Sequence, residues 1–269
     1  MTDIDMVLLV SGATVAAFMV STWALSLVRR DASIVDIAWG LGFVVVAWLA
    51  FLLGDGPIER RLLVAALTTI WGLRLAAHML RVRLGRGEDF RYREMRARYG
   101  RRFPVVSLFS VYLLQGLGMW TVSLPVQAAA ALPGPSGLTA LDLAGLAVWV
   151  GGMVFEVGGD RQLARFRADP RNRGKVMDRG LWRYSRHPNY FGDFCVWWGI
   201  FLIALAADGA WWAAAGPLTM TLIFTKFFGV PLMERHLSST KPGYEDYARR
   251  TSAFFPCRPK LGPQSPGSV

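Results

Sequence analysis

The sequence predicts an all-α integral membrane protein of about seven transmembrane helices, with the amino terminus outside and the carboxyl terminus in the cytosol. Three observations predict it: the length of the uncharged runs, the one-sided placement of basic residues between them, and the position of the few charges inside them. The chain has 269 residues, 53% of them hydrophobic, with 11 Trp and 16 Phe. A run of about 18 or more apolar residues crosses a hydrocarbon core of about 30 Å as a helix. Seven apolar segments stand at roughly 6–28, 34–53, 62–80, 105–132, 141–159, 190–207 and 211–233.

The connections test that count. Arg29 and Arg30 follow the first segment, nine arginines lie between Arg81 and Arg102, nine basic residues between Arg161 and Arg186, and six from Arg235 onward. The alternate connections, GDGPIERR, PGPSGLT and DG, carry only Arg60 and Arg61. Cytoplasmic loops are enriched in Lys and Arg, so the heavily basic side is the cytosolic one. In a soluble chain an excess of 30 Lys+Arg over 19 Asp+Glu would point to nucleic acid; here topology accounts for the charge, and no nucleic-acid partner is expected.

Two of the cytosolic connections exceed a simple turn. Residues 81–103 (RVRLGRGEDFRYREMRARYGRRF) carry Arg and Glu at helical spacing and predict a short interfacial helix; 161–188 contain Pro170, Gly174 and Gly180 and predict a loop with partial helix. The amino terminus, MTDIDM, lacks the basic start of a cleaved signal and predicts a retained helix. One domain, 1–260, and a disordered tail, 261–269, complete the organisation. Cys195 and Cys257 make neither a disulfide framework nor a metal pattern, and His78, His187 and His236 have no zinc spacing. The Arg-, Ala- and Gly-rich composition predicts a bacterial source and a cytoplasmic (inner) membrane location.

Charges within a membrane span are costly and mark a cavity or a partner. Asp36, Arg74, His78, Gln115, Glu156, Asp160, Asp193 and Lys226 all fall toward the cytosolic ends of their segments. Their common placement predicts a water-filled cavity open to the cytosol, of mixed charge, suited to a ligand with phosphate and hydroxyl groups.

The strongest local signal is DRGLWRYSRHPNYFGDFCVWWG at 178–199. Arg186-His187-Pro188-Asn189-Tyr190 places a cation, an imidazole, a rigid φ, an amide and a phenol at a helix start. Proline is tolerated there, and free backbone N–H groups favour phosphate.

This segment, with the upstream EVGGDRQLARF and the downstream GVPLMERHLSSTKPGYEDYARRTSAFFP, resembles the DUF1295 proteins, relatives of the steroid 5α-reductase C-terminal domain. SIVDIAWG, WGLRL, EDFRYREMRARYG and LLQG fit as well, so the resemblance covers almost the whole chain. It implies a seven-helix fold that holds NADPH in a cytosolic cavity and reduces a carbon–carbon double bond conjugated to a carbonyl, in a steroid, isoprenoid or fatty acyl substrate. It also implies cofactor contacts from the fifth and sixth helices, at Asp160, Arg167, Asn189 and Asp193. Position 156 is Glu where the steroid enzymes have Asn, and 193 is Asp where they have Glu. Their substrate-polarising Glu and Tyr correspond by position to Asp36 and Trp71, and an indole cannot give up a proton as a phenol does.

The resulting expectation makes Asp36, Trp71 and Tyr190 catalytic, with Asp36 donating a hydrogen bond to the substrate carbonyl. Tyr184 is a further candidate donor. Glu156, Asp160, Arg167, Tyr184, Arg186, His187, Asn189, Asp193 and Tyr244 bind the cofactor, with the arginines on phosphate and Tyr244 and Tyr247 on adenine. Membrane lipids and a lipid-like substrate are the expected partners. Two rival readings stand beside it: an S-adenosylmethionine-dependent methyltransferase of the isoprenylcysteine type, which carries a similar RHPxYxG, and a lipid-binding relative without chemistry.

Overall fold

The structure is a computed structural model that describes residues 3–227 and 230–260, except for the side chains of residues 231, 232 and 236. The tail at 261–269, expected to be disordered, lies outside the described residues. Among the described residues the chain is helical with no strand, and only a single bridge joins Ser185 to Ser252.

Among the described residues, five helices are long and apolar enough to cross a membrane: Asp3–Arg29 (α1), Ile34–Leu53 (α2), Ile58–Arg83 (α3), the run Phe90–Val122, and Ala140–Ala168. The run Phe90–Val122 is interrupted. A helix at Phe90–Tyr99 (α4) ends at Gly100, whose φ of 48° no other residue adopts easily. Phe103–Ser107 (α5), a π-helical stretch Leu108–Leu113 and Leu114–Val122 (α6) follow. Leu124–Ala131 (α7) then restarts at Pro125, which cannot donate to the preceding turn.

A short helix, α4, stands where an interfacial one was expected, and among the described residues five helices, against the seven expected, have the length and hydropathy of a span. Ala140–Ala168 (α8) runs nine residues past its expected end at 159, because Arg161, Gln162, Arg165 and Arg167 favour helix even where the apolar run has stopped. Pro188–Ala204 (α9) has only 17 residues. The expected seventh span is split into a 3₁₀ turn Ala210–Ala214, a helix Ala215–Leu222 (α10) and a π-helical turn Ile223–Phe227. Gly209 at φ 74° and Pro217 account for the breaks. Val230–Thr240 (α11) and Tyr244–Arg250 (α12) end the described chain.

The chain divides into two compact units. The first comprises residues 1–145 and 200–216. Its centre is the α2–α3 pair, which meets backbone to backbone: a Cβ at Gly40 would lie 2.4 Å from the Gly72 carbonyl oxygen. Trp71 is fully buried and stands edge-on to Phe43 at 5.3 Å. Two buried polar clusters stand inside this unit. Arg60 and Asp142, both fully buried, meet at 3.0 Å through Nε and 3.3 Å through Nη2, and Thr139 donates to Asp142 from its backbone N and from Oγ1. Gln127 donates to Ser123 Oγ and accepts from Ser11 Oγ.

The second unit comprises residues 146–199 and 217–269. Here α8 and α9 touch along glycines. A Cβ at Gly152 would meet the Gly192 carbonyl oxygen at 2.6 Å and Val196 N at 2.8 Å, and one at Gly192 would meet Glu156 N at 2.4 Å. Gly151, one residue away, has nothing within 4 Å of its would-be Cβ.

This neighbouring pair gives a test. Gly152→Ala is expected to lower stability by about 1–3 kcal/mol, since overpacking forces backbones apart. Gly151→Ala leaves stability unchanged or raises it by up to about 1 kcal/mol, since alanine is the better helix former. Thermal melts of the two variants in detergent check this; equal melting temperatures would refute the α8–α9 contact.

Candidate functional site

In the second unit, the glycine contacts bring α8 close enough to α9 for polar side chains to meet. Glu156 and Asp160 lie four residues apart on α8, and Asn189 and Asp193 four apart on α9, so each pair shares one helix face. Asn189 Nδ2 donates to Asp160 Oδ1 at 3.1 Å. That bond leaves the amide oxygen of Asn189 as an acceptor for something else. Glu156, Asp160 and Asp193 are all buried.

The turn that leads into α9 is held from several sides. Trp182 Nε1 donates to the Gly159 carbonyl at 3.0 Å, and Leu181 N to Gln162 Oε1 at 2.9 Å. Ser185 Oγ donates to the Phe254 carbonyl, Arg186 N to the Ser252 carbonyl, and Tyr247 Oη to the Trp182 carbonyl. The Arg186 guanidinium grips both oxygens of Glu234, at 2.7 Å and 3.0 Å, and Nη1 donates to the carbonyls of Ala248 and Thr251.

Burial would raise the Glu234 pKa. Its hydrogen bond with His187 and the charges of Arg186 and His187 outweigh that and hold the carboxyl below the usual glutamate value. His187 Nε2 lies 3.5 Å from Glu234 Oε1, at the outer limit of hydrogen bonding.

Around this turn lies a cavity of about 600 Å³, a size ordinary for a small-molecule or cofactor site. Arg167, Arg173, Lys175 and Lys241 contribute positive charge to its lining; Trp182, Tyr190, Tyr244 and Tyr247 contribute aromatic faces, and Asn189 a hydrogen-bonding edge. The His187 ring stacks on Tyr190 at 5.4 Å, and Tyr190 on Phe224 at 4.8 Å. One buried polar atom on this lining, Tyr244 Oη, has no hydrogen-bond partner among the described residues. Burial, reinforced by the Glu234 charge, pushes the Tyr244 phenol up to about 12, so it is a neutral donor at physiological pH.

Of the residues expected from sequence to bind a cofactor, Arg167, Arg186, His187, Asn189 and Tyr244 line this cavity, as does Tyr190, expected to be catalytic. Two expectations need correction. Arg186 is committed to Glu234 and two carbonyls, so its guanidinium braces the wall. Tyr184 is 42% exposed and absent from the lining; its backbone carbonyl instead receives Cys257 N at 3.0 Å. Glu156, Asp160 and Asp193 are also absent from the lining, and Asp160 acts on it through Asn189. Sequence reasoning missed Trp182, Arg173, Lys175 and Lys241. Only their position in the loop before RHPN, or beside PGYEDY, could have signalled them.

The other two expected catalytic residues, Asp36 and Trp71, belong to the first unit. Asp36 is an acceptor on both oxygens: Arg83 reaches Oδ2 at 2.7 Å and Arg91 at 3.2 Å, while Tyr92 Oη donates to Oδ1 at 3.2 Å. A role as lone hydrogen-bond donor does not fit an oxygen pair already receiving three donors. Trp71 is core, fully enclosed beside Phe43. A phenol is nonetheless present: Tyr92, inside the EDFRYREMRARYG segment, is buried and bonded to Asp36.

Comparison with known proteins gives relatives of low identity. The chain is 25% identical over 260 residues to an uncharacterized protein of Schizosaccharomyces pombe, covering 87% of this chain and 75% of that one. It is 27% identical to the 3-oxo-5-alpha-steroid 4-dehydrogenase 1 of Mus musculus and 28% to that of Bos taurus, each over 114 residues. Those two matches cover 42% of this chain and 41% of each enzyme. No solved structure matches it. The family model described as "Protein of unknown function (DUF1295)" matches residues 22–251, and the chain is a member of that family.

Proposed function

We propose that this multi-pass membrane protein is an NADPH-dependent reductase of a carbon–carbon double bond conjugated to a carbonyl, in a lipid-like substrate. The observation that carries the reading is the cavity of the second unit, where cations, aromatic faces and a buried phenol without a hydrogen-bond partner converge. The similarity to the steroid dehydrogenases supports it.

The lining fits a dinucleotide. Arg173, Lys175 and Lys241 are placed to meet phosphates, and Trp182, Tyr244 and Tyr247 offer faces for a purine. Asn189, oriented by Asp160, presents its carbonyl to a carboxamide or ribose donor. When bound, NADPH supplies a hydride; the alkene is saturated once it has gained that hydride and a proton.

Tyr190, clamped between His187 and Phe224, holds a phenol on the cavity wall. There it hydrogen-bonds the substrate carbonyl and stabilises the negative charge that develops on that oxygen. The basic segments 81–102 and 161–186 orient the protein with this cavity toward the cytosol, where NADPH is available, in a bacterial cytoplasmic membrane.

Purified protein in detergent tests the reading. Millimolar NADPH is expected to raise the melting temperature, because a ligand that binds only the folded state stabilises it. A rise with S-adenosylmethionine alone would replace the reductase by a methyltransferase, and no rise with either would leave a lipid-binding protein. Asn189→Ala is expected to weaken NADPH binding about fivefold, from the loss of about 1 kcal/mol of hydrogen bonding. Tyr190→Phe keeps the ring stack and cofactor binding while lowering turnover about 10²-fold or more; undiminished turnover would remove Tyr190 from the chemistry.

The Glu234 clamp predicts an acid limit. Because its folded pKa lies below the unfolded value of 4.5, the stabilisation is complete above that pH and is lost as pH falls through the folded value. Glu234→Gln is expected to lower the melting temperature at pH 7 and to flatten its decline between pH 5 and 3.

A further inference from the structure

The nine arginines of residues 81–102 fall into two sets. Arg83, Arg91 and Arg96 are consumed internally: Arg83 by Asp36 and Asp89, Arg91 by the same two carboxylates, and Arg96 by Glu88. The other six, Arg81, Arg86, Arg93, Arg98, Arg101 and Arg102, are exposed, and the segment's one exposed carboxylate is Glu94.

The platform beneath them is rigid. Ala32 N donates to Glu88 at 2.8 Å and Asp89 N to Ser33 Oγ at 2.7 Å, stapling the loop onto the start of α2. The surface among the arginines is apolar and exposed at Leu84, Phe90 and Tyr99, and it continues into exposed Val105 and Phe109 at the start of the next apolar helical run. Cations and aromatic rings at the boundary between a charged helix and an apolar one occupy the headgroup level of a bilayer.

We propose that this face is a docking surface for anionic phospholipid headgroups. Planar guanidinium forks bind phosphate bidentately, and a juxtamembrane basic cluster is attracted to an anionic leaflet. Charge complementarity favours lipid phosphate, and the exposed apolar side chains set among the arginines give the acyl chains contacts that a soluble phosphate would not use. The internal ion pairs of Arg83, Arg91 and Arg96 hold the backbone that carries the exposed arginines, so binding has mainly their side chains left to order. The inference rests on the membrane reading alone and is independent of the reductase.

The test uses full-length protein in neutral detergent, titrated with short-chain phosphatidylglycerol, phosphatidylcholine or inorganic phosphate while melting temperature is followed. Phosphatidylglycerol alone is expected to raise it. R93Q/R98Q/R101Q is expected to weaken that response at least about tenfold, while R161Q/R165Q/R179Q, in the other basic segment, leaves it intact. Equal responses to the two lipids, an equal response to inorganic phosphate, or equal loss in both triple variants would overturn the proposal. If the first triple variant fails to fold, R93K/R98K/R101K retains the charge without the fork and is expected to show a weakened response; the wild-type lipid comparison decides the matter regardless.

Discussion

Arg186 and Glu234 hold the second unit together at its most crowded point. A guanidinium can satisfy its donors only in the plane of its fork. Here that plane faces both Glu234 oxygens on one side and the carbonyls of Ala248 and Thr251 on the other. One side chain therefore fixes α11, the end of α12 and the turn before α9 at once. Those are the elements that carry Met233, Leu237, Tyr244, Tyr247, His187 and Asn189 onto the cavity wall. A lysine would meet one carboxylate oxygen and leave the carbonyls unpaired. Removing Glu234 would strand a largely buried cation, a change that costs roughly 3–5 kcal/mol in buried pairs.

The same constraint shapes the first unit. A charge withdrawn from water is tolerated only with a partner, and Arg60 with Asp142 and Asp36 with Arg83 and Arg91 obey it. Charges that a sequence presents as candidates for a ligand are thus first spent on each other. This is where reading the sequence reached its limit. Asp36 and Arg186 were visible as functional-looking groups, but their partners lie 47 and 55 residues away for the first and 48 for the second. The Arg60–Asp142 pair spans 82 residues. Nothing local encodes such a pairing, because it is decided by which helix ends the packing brings together.

Features set within one helix were far more legible. The apolar run at 34–53 coincides with α2, and the arginine–glutamate spacing after Arg81 yields α4. The Asp160–Asn189 contact follows from motifs on two neighbouring helices, each recognisable by itself. Hydropathy erred where backbone geometry overrides composition. The helix α8 outlasts its apolar stretch because a helix needs backbone hydrogen bonds more than it needs apolar side chains. The region 211–225 carries no charge, yet it is divided into a 3₁₀ turn, the helix α10 and a π turn. Trp71 misled for a related reason: correspondence by position suggested chemistry, while packing against Phe43 made it core, and the phenol sits on Tyr92 instead.

The pairing rule also gives meaning to the net charge of +11. Beside the acids and arginines that pair internally, two groups of cations stand out. Arg173, Lys175 and Lys241 line the cavity of the second unit, and six arginines stand on the stapled platform of residues 81–102. Positive groups kept close together repel one another, so such concentrations persist at a cost in stability unless anions from outside join them. For the cavity the anion has to be small enough to enter about 600 Å³ and to bring a ring for the tyrosines, which a dinucleotide satisfies. For the platform it has to be held at a boundary with apolar chains, which a phospholipid satisfies. One surplus, divided by where the internal partners stop, thus underlies both the proposed cofactor site and the proposed lipid surface.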